Sequence, residues 1–197
     1  MDNKERLLQA GLELFAKEGY DKVSIRQLAD ASQTNSAMIS YYFGGKQGLY
    51  EAVMEQQIHA LIAFPEEVAK NPQLTPPEIL CLYAETMHTL HKENPLLVQL
   101  CYREFVAPSA MLEKFSGLYI KKIFLLLGSA IQQGISQKYF RDDLDIPATI
   151  ILWAGMVNFF FLSRPIRSRI EPEHGLTAAQ YLKQSLQIFL QGIERRP

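Results

Sequence analysis

The stretch Ser24 to Lys46, SIRQLADASQTNSAMISYYFGGK, decides the fold. It reads as two short helices across a tight polar turn, closed by two glycines and a lysine. Ser24 followed by Gln27 has the capping-box spacing, in which each side chain satisfies the other residue's backbone N–H. Ile25, Leu28 and Ala29 then share one helical face. Ser32-Gln33-Thr34-Asn35 interrupts the apolar pattern, and Asn35 is a good N-cap for a second helix, Ser36 to Phe43. Ile39 and Phe43 lie on one face of that helix, with Ser36, Ser40 and Tyr41 largely off it. Gly44-Gly45 supplies the positive-φ residues that end it.

The flanks complete a three-helix unit. Residues 4–18 carry Leu8, Gly11, Leu12 and Phe15 at helical spacing, with Glu5, Glu13 and Lys17 elsewhere on the wheel. Gly19 is placed to stop this helix. Its apolar face, with Ile25, Leu28, Ile39 and Phe43, makes a small core. Two capped helices joined by a short turn form a helix-turn-helix, whose second helix enters the DNA major groove.

Tyr41-Tyr42-Phe43-Gly44-Gly45-Lys46, following the helix capped at Asn35 and leading into Leu49-Tyr50, resembles the TetR family of transcriptional regulators. The lead-in Asn35-Ser36-Ala37-Met38-Ile39 with the double glycine resembles its CecR-type branch. The detailed likeness covers residues 4–50. Gln33 stands where the family's turn usually carries glycine, and Ser40 where a phosphate-binding tyrosine is frequent, which moves the expected tyrosine contact to Tyr41. The resemblance implies a repressor that occupies a palindromic double-stranded DNA operator as a homodimer and is released by a small-molecule ligand. The expected organisation is a helix-turn-helix DNA-binding domain over residues 1–48 and a helical regulatory and dimerisation domain over 49–197.

Charge bounds how such a protein holds DNA. The 197 residues carry a net charge of −1. Within residues 1–50, Lys4, Arg6, Lys17, Lys22, Arg26 and Lys46 are balanced by Asp2, Glu5, Glu13, Glu18, Asp21 and Asp30. A few well-placed cations must therefore do what an overall positive field does elsewhere. Arg26 and Lys46 each fall at a helix start, where free N–H groups and the helix dipole favour a phosphate. Asn35, Ser36, Ala37, Ser40 and Tyr41 complete the candidate DNA-binding set; short side chains allow close approach, and Ala37 can pack on a thymine methyl.

The remainder reads as helices: Lys46 to about Phe64, stopped by Pro65, with Leu49, Val53, Gln57 and Leu61 on one face and Tyr50, Met54, Ile58 and Ile62 beside it. Thr75 caps a helix running to Glu93, a shorter one spans Pro95 to Val106, and residues 109–139 form a helix interrupted near Gly117. Asp145 caps the uncharged run Ile146 to Leu162, residues 163–175 are a loop, and Thr177 with Gln180 opens the last helix. The chain is all-α. The uncharged run reads as a buried helix and not a membrane span.

The aromatic-rich region after residue 77 suggests a pocket for a small apolar or aromatic ligand, with Tyr83, Met87, Arg103, Phe105, Trp153 and Asn158 as candidates. By family resemblance Trp153, Leu182, Leu186, Phe189, Leu190 and Ile193 form the dimer interface. Glu85, His88 and His91 share a helical face but lack the further ligands a metal site needs, so neither metal nor other cofactor is expected. Cys81 and Cys101 read as reduced, buried thiols, and the charged N-terminus as that of a cytoplasmic protein. No catalytic grouping emerges, so no enzymatic activity is expected. The alternative function is a helical protein–protein adaptor without DNA binding.

Overall fold

The computed structural model describes residues 2–106, 120–170 and 175–195, with the backbone alone over 57–63. Among these residues the chain is all-α: α1 Asn3–Glu18, α2 Ile25–Ser32, α3 Ser36–Phe43, α4 Lys46–Lys70, α5 Pro76–Glu93, α6 Pro95–Val106, α7 Lys121–Ser136, α8 Ile146–Leu162, α9 Arg164–Ile170 and α10 Ala178–Ile193. The described backbone holds one isolated bridge, between Phe140 and Glu194. Expectations at Gln57, Ile58, Leu61, Ile62, residue 109 and Gly117 concern residues or side chains outside this description.

The helices form two compact units, and the division falls inside α4 after Ile62. The first gathers α1, α2, α3, the start of α4 and α6; α6 joins it by packing on α1. Leu7, Phe15, Leu28, Ile39, Leu49 and Val53 are its buried core. Arg103 of α6 fastens the end of α1, donating from Nε to the Ala16 carbonyl at 3.2 Å and from Nη2 to the Lys17 carbonyl. Glu104 is buried, and its carboxylate accepts from the Tyr50 hydroxyl at 2.9 Å.

The second unit packs α8 against α7 and α10. Trp153 sits at its centre, fully buried, stacked on Phe189 at 4.8 Å and donating to the Leu80 carbonyl at 3.2 Å.

Two boundaries differ from the sequence reading. Pro65 does not end α4, which continues to Lys70. A proline inside a helix costs about 3 kcal/mol. The helix beyond is held because Phe64 is fully buried and meets Tyr83 edge-on at 5.5 Å. The segment after α8 is not all loop, since residues 164–170 form α9. Pro165 falls in its first turn, where a missing N–H costs nothing, and the Ser163 carbonyl accepts from Ile166 and Arg167. Cys81 and Cys101 are free and half-buried; burial pushes them up to about 11 and about 12, so neither is a thiolate near neutrality. No single helix among the described residues is long and apolar enough to cross a membrane.

Candidate nucleic-acid interface

Local chemistry builds the helix pair as its sequence suggests. Ser24 and Gln27 cap α2 reciprocally, and Asn35 Oδ1 accepts from the Met38 N–H at 3.1 Å to cap α3. Gln33 occupies the left-handed region (φ 53°, ψ 42°) at the end of α2. A residue with a Cβ spends about 1–2 kcal/mol there, which explains the family's usual glycine.

The same geometry orients α3. Ile39 is fully buried and Phe43 half-buried, which leaves Asn35, Ser36, Ala37, Ser40 and Tyr41 exposed on the opposite side. Tyr41 is 79% exposed, with its ring edge-on to Tyr42 at 5.0 Å. An aromatic ring so uncovered, beside three side chains no longer than serine's, is a surface shaped for close approach. Arg26 also projects into solvent. Its 3.9 Å pair with Asp30 joins two highly exposed side chains one turn apart, a contact worth a few tenths of a kcal/mol that a phosphate can replace.

Lys46 is placed differently. Its ammonium donates to the carbonyls of Tyr20 and Val23, both at 2.9 Å, and lies over the Tyr20 ring at 4.3 Å. It therefore braces the loop between α1 and α2 against the start of α4. Two of its three donors are engaged, and one remains. Tyr20 passes the contact on through edge-on rings to Tyr50, itself bonded to Glu104.

Gly48 carries no signal in the sequence pattern, yet the interface depends on it. A Cβ there would lie 1.8 Å from the Phe43 carbonyl oxygen. Only glycine lets the first turn of α4 cross so close to the end of α3.

The proposed pocket residues fall into both units. Tyr83, Met87 and Trp153 are buried core. Asn158 donates to the Tyr83 hydroxyl and the Ala154 carbonyl, both at 2.9 Å, and its Oδ1 lies 3.3 Å from His91 Nε2. Arg103 and Phe105 belong to the first unit, where Arg103 serves α1 and Phe105 is exposed. Of the expected interface residues, Trp153, Leu182, Phe189 and Ile193 are buried within this chain and Leu186 and Leu190 half-buried. The uncovered large apolar groups on these two helices are others: Ile151, Leu152, Phe159 and Leu162 on α8 and Ile188 on α10.

Glu85, His88 and His91 make no metal cluster; none of three or more such ligands occurs among the described residues. His91 stacks on Phe161 at 3.8 Å, and burial lowers its pKa from 6.5 to about 4. Well above pH 6.5 it is neutral in both folded and unfolded chains. As pH falls from 6.5 towards 4 the unfolded chain takes up a proton that the folded one refuses, so stability is lost across that window. Denaturant titrations at pH 7, 6 and 5 should show this loss, and His91→Gln should flatten it. Identical pH slopes for the two proteins would contradict the assignment.

Residues 7–53 match the family described as bacterial regulatory proteins, tetR family, so this segment is a helix-turn-helix domain of that family. The chain is 27% identical over 149 residues to the probable HTH-type transcriptional regulator YttP of Bacillus subtilis, covering 75% of this chain and 70% of that protein. It is 26% identical over 171 residues to the HTH-type transcriptional repressor NicS of Pseudomonas putida, covering 82% and 76%. Among solved structures, the hemolysin II transcriptional regulator HlyIIR superposes with a TM-score of 0.71 at 28% identity over 98% of both chains.

Proposed function

We propose that this chain, a DNA-binding transcriptional regulator with a tetR-type reading head, works in the cytoplasm as a dimeric repressor on a palindromic operator and is released by a small molecule. Residues 1–48 read DNA; residues 49–197 dimerise and sense. The carrying observation is the outward face of α3, with Ile39 anchoring the helix beneath it. The relatives are named as regulators of transcription, in keeping with a chain that acts by binding. Ser36, Ala37, Ser40 and Tyr41 approach base edges and Asn35 sets the helix start. Arg26 meets phosphate, as does Lys46 through its remaining donor and the α4 N-terminus.

These roles separate experimentally. Tyr41→Ala should change which bases are preferred, at about 1–3 kcal/mol for a lost specific contact. Lys46→Ala should weaken all sequences alike and lower the salt slope by about one. It should also lower the melting temperature, because two carbonyls lose their donor. A melting change with an unaltered salt slope would make Lys46 a brace only. Unaltered base preference in Tyr41→Ala would remove that residue from the reading head.

A further inference from the structure

One cavity in the second unit combines an aromatic wall with several cations. It has a volume of about 510 Å³, within the range of small-molecule sites. The end of α5, the end of α8, α9 and the start of α10 line it, and it opens to solvent on one side. Phe160, Phe161 and Leu176 supply apolar wall, while Lys92, Arg164 and Arg167 also line it. No acidic side chain is among its described lining residues.

Among the described residues the cations meet no carboxylate. Arg167 is held rigidly, its guanidinium 3.7 Å over the Phe160 ring, with Nη2 donating to the Phe160 carbonyl at 2.8 Å and Nε to the Ser163 hydroxyl at 3.1 Å. Both acceptors are neutral, so the site keeps the full charge. Lys92 and Arg164 are exposed at the rim and form no ion pair among the described residues. His88 adds a second, independent sign: its Nδ1 is enclosed and meets no hydrogen-bond partner among the described residues. A buried polar atom left unmatched costs about 1–3 kcal/mol, a cost that a bound acceptor or donor removes.

We propose that this cavity binds an amphipathic organic carboxylate, its apolar body against Phe160, Phe161 and Leu176 and its head among Lys92, Arg164, Arg167 and His88. The mixed lining selects the class. An uncharged hydrocarbon leaves three cations uncompensated, and a small inorganic anion leaves the aromatic wall wet. Charge-assisted hydrogen bonds to the carboxylate supply orientation, and Arg167 is already fixed in place for one. The proposal gives a chemical class to the ligand of the regulatory reading. Only its consequence at the operator rests on that reading.

The test uses the full-length protein with 2-naphthoate, followed by its own fluorescence, and with decanoate as a competitor. The matched neutral probe is 2-naphthalenemethanol. Naphthoate should bind and decanoate displace it, with the neutral probe weaker by about tenfold or more. The double variant Lys92→Gln/Arg164→Gln removes two unpaired exposed charges and should fold normally by its circular dichroism melt. It should bind naphthoate about tenfold more weakly while leaving the neutral probe unchanged. Arg167→Gln should reduce naphthoate binding further. Equal naphthoate binding by wild type and double variant, or no saturable binding of either anion at about millimolar concentration, would overturn the proposal. Operator binding is read separately: naphthoate bound without operator release keeps the site and rejects the release mechanism.

Discussion

Gly48→Ala should abolish operator binding while a second glycine-to-alanine change, Gly128→Ala, leaves it intact. Alanine normally favours a helix over glycine by about 1 kcal/mol, so helix propensity alone predicts that both variants gain stability. Space decides otherwise. At Gly128 the added methyl meets Ile150 at an ordinary 3.4 Å. At Gly48 it would stand 1.8 Å from a carbonyl oxygen and 2.9 Å from its carbon. That neighbour is backbone, so relief requires the end of α3 or the start of α4 to move. Overpacking of this kind costs about 1–3 kcal/mol, sometimes more, and here the movement displaces the helix that reads DNA. Thermal melts and gel shifts on both variants check this. A Gly48→Ala protein that keeps its melting temperature and operator affinity would mean that the α3–α4 crossing is looser than described.

The second large effect concerns assembly. Leu152, Phe159 and Ile188 are 62%, 64% and 55% exposed on α8 and α10, an apolar surface that a second copy of the chain would cover. Gly155 and Gly192 lie on the same two helices with open space around them, which lets a partner helix approach closely. Phe159→Lys would put an unpaired charge into that contact twice per dimer. It should weaken the dimer by at least about 3 kcal/mol, roughly a hundredfold, and operator binding should fall with it. The monomer should fold normally, because Phe159 faces solvent within one chain. A charge at Phe189 tests something else: that ring is buried against Trp153, so the lesion would be one of folding. Sedimentation of Phe159→Lys as an undisturbed dimer at micromolar concentration would place the interface elsewhere.

The DNA-binding half was legible because its signals are local. Capping at Ser24 and Asn35, the double glycine and a short apolar period each act within a few residues. The structure realises them at the positions where they occur. Gly48 was not legible, since its requirement comes from a carbonyl five residues back across a turn. The second engagement of Lys46, at Tyr20 and Val23, was hidden for a related reason: the partners lie 26 and 23 residues away. On α8 the pattern itself is uninformative. The helix is apolar all round, so no period separates Trp153, which faces the core, from Leu152 and Phe159, which face out. In the sequence Pro65 reads as a stop and the Pro165 region as loop, because proline usually interrupts a helix. Burial of Phe64 and a first-turn position reversed that reading. The cavity walls come from α5, α8, α9 and α10, and no sequence window holds them together.

The most direct measurement is selection of bound sequences from a random duplex library by the full-length protein, followed by affinity against salt for the selected site. The account predicts a two-fold symmetric site whose half-sites lie about 34–36 Å apart, or near a multiple of that. Affinity should fall steeply as salt rises, and Tyr41→Ala should alter the selected bases. A protein that is folded and dimeric yet enriches no sequence, or that binds all duplexes alike, would contradict it.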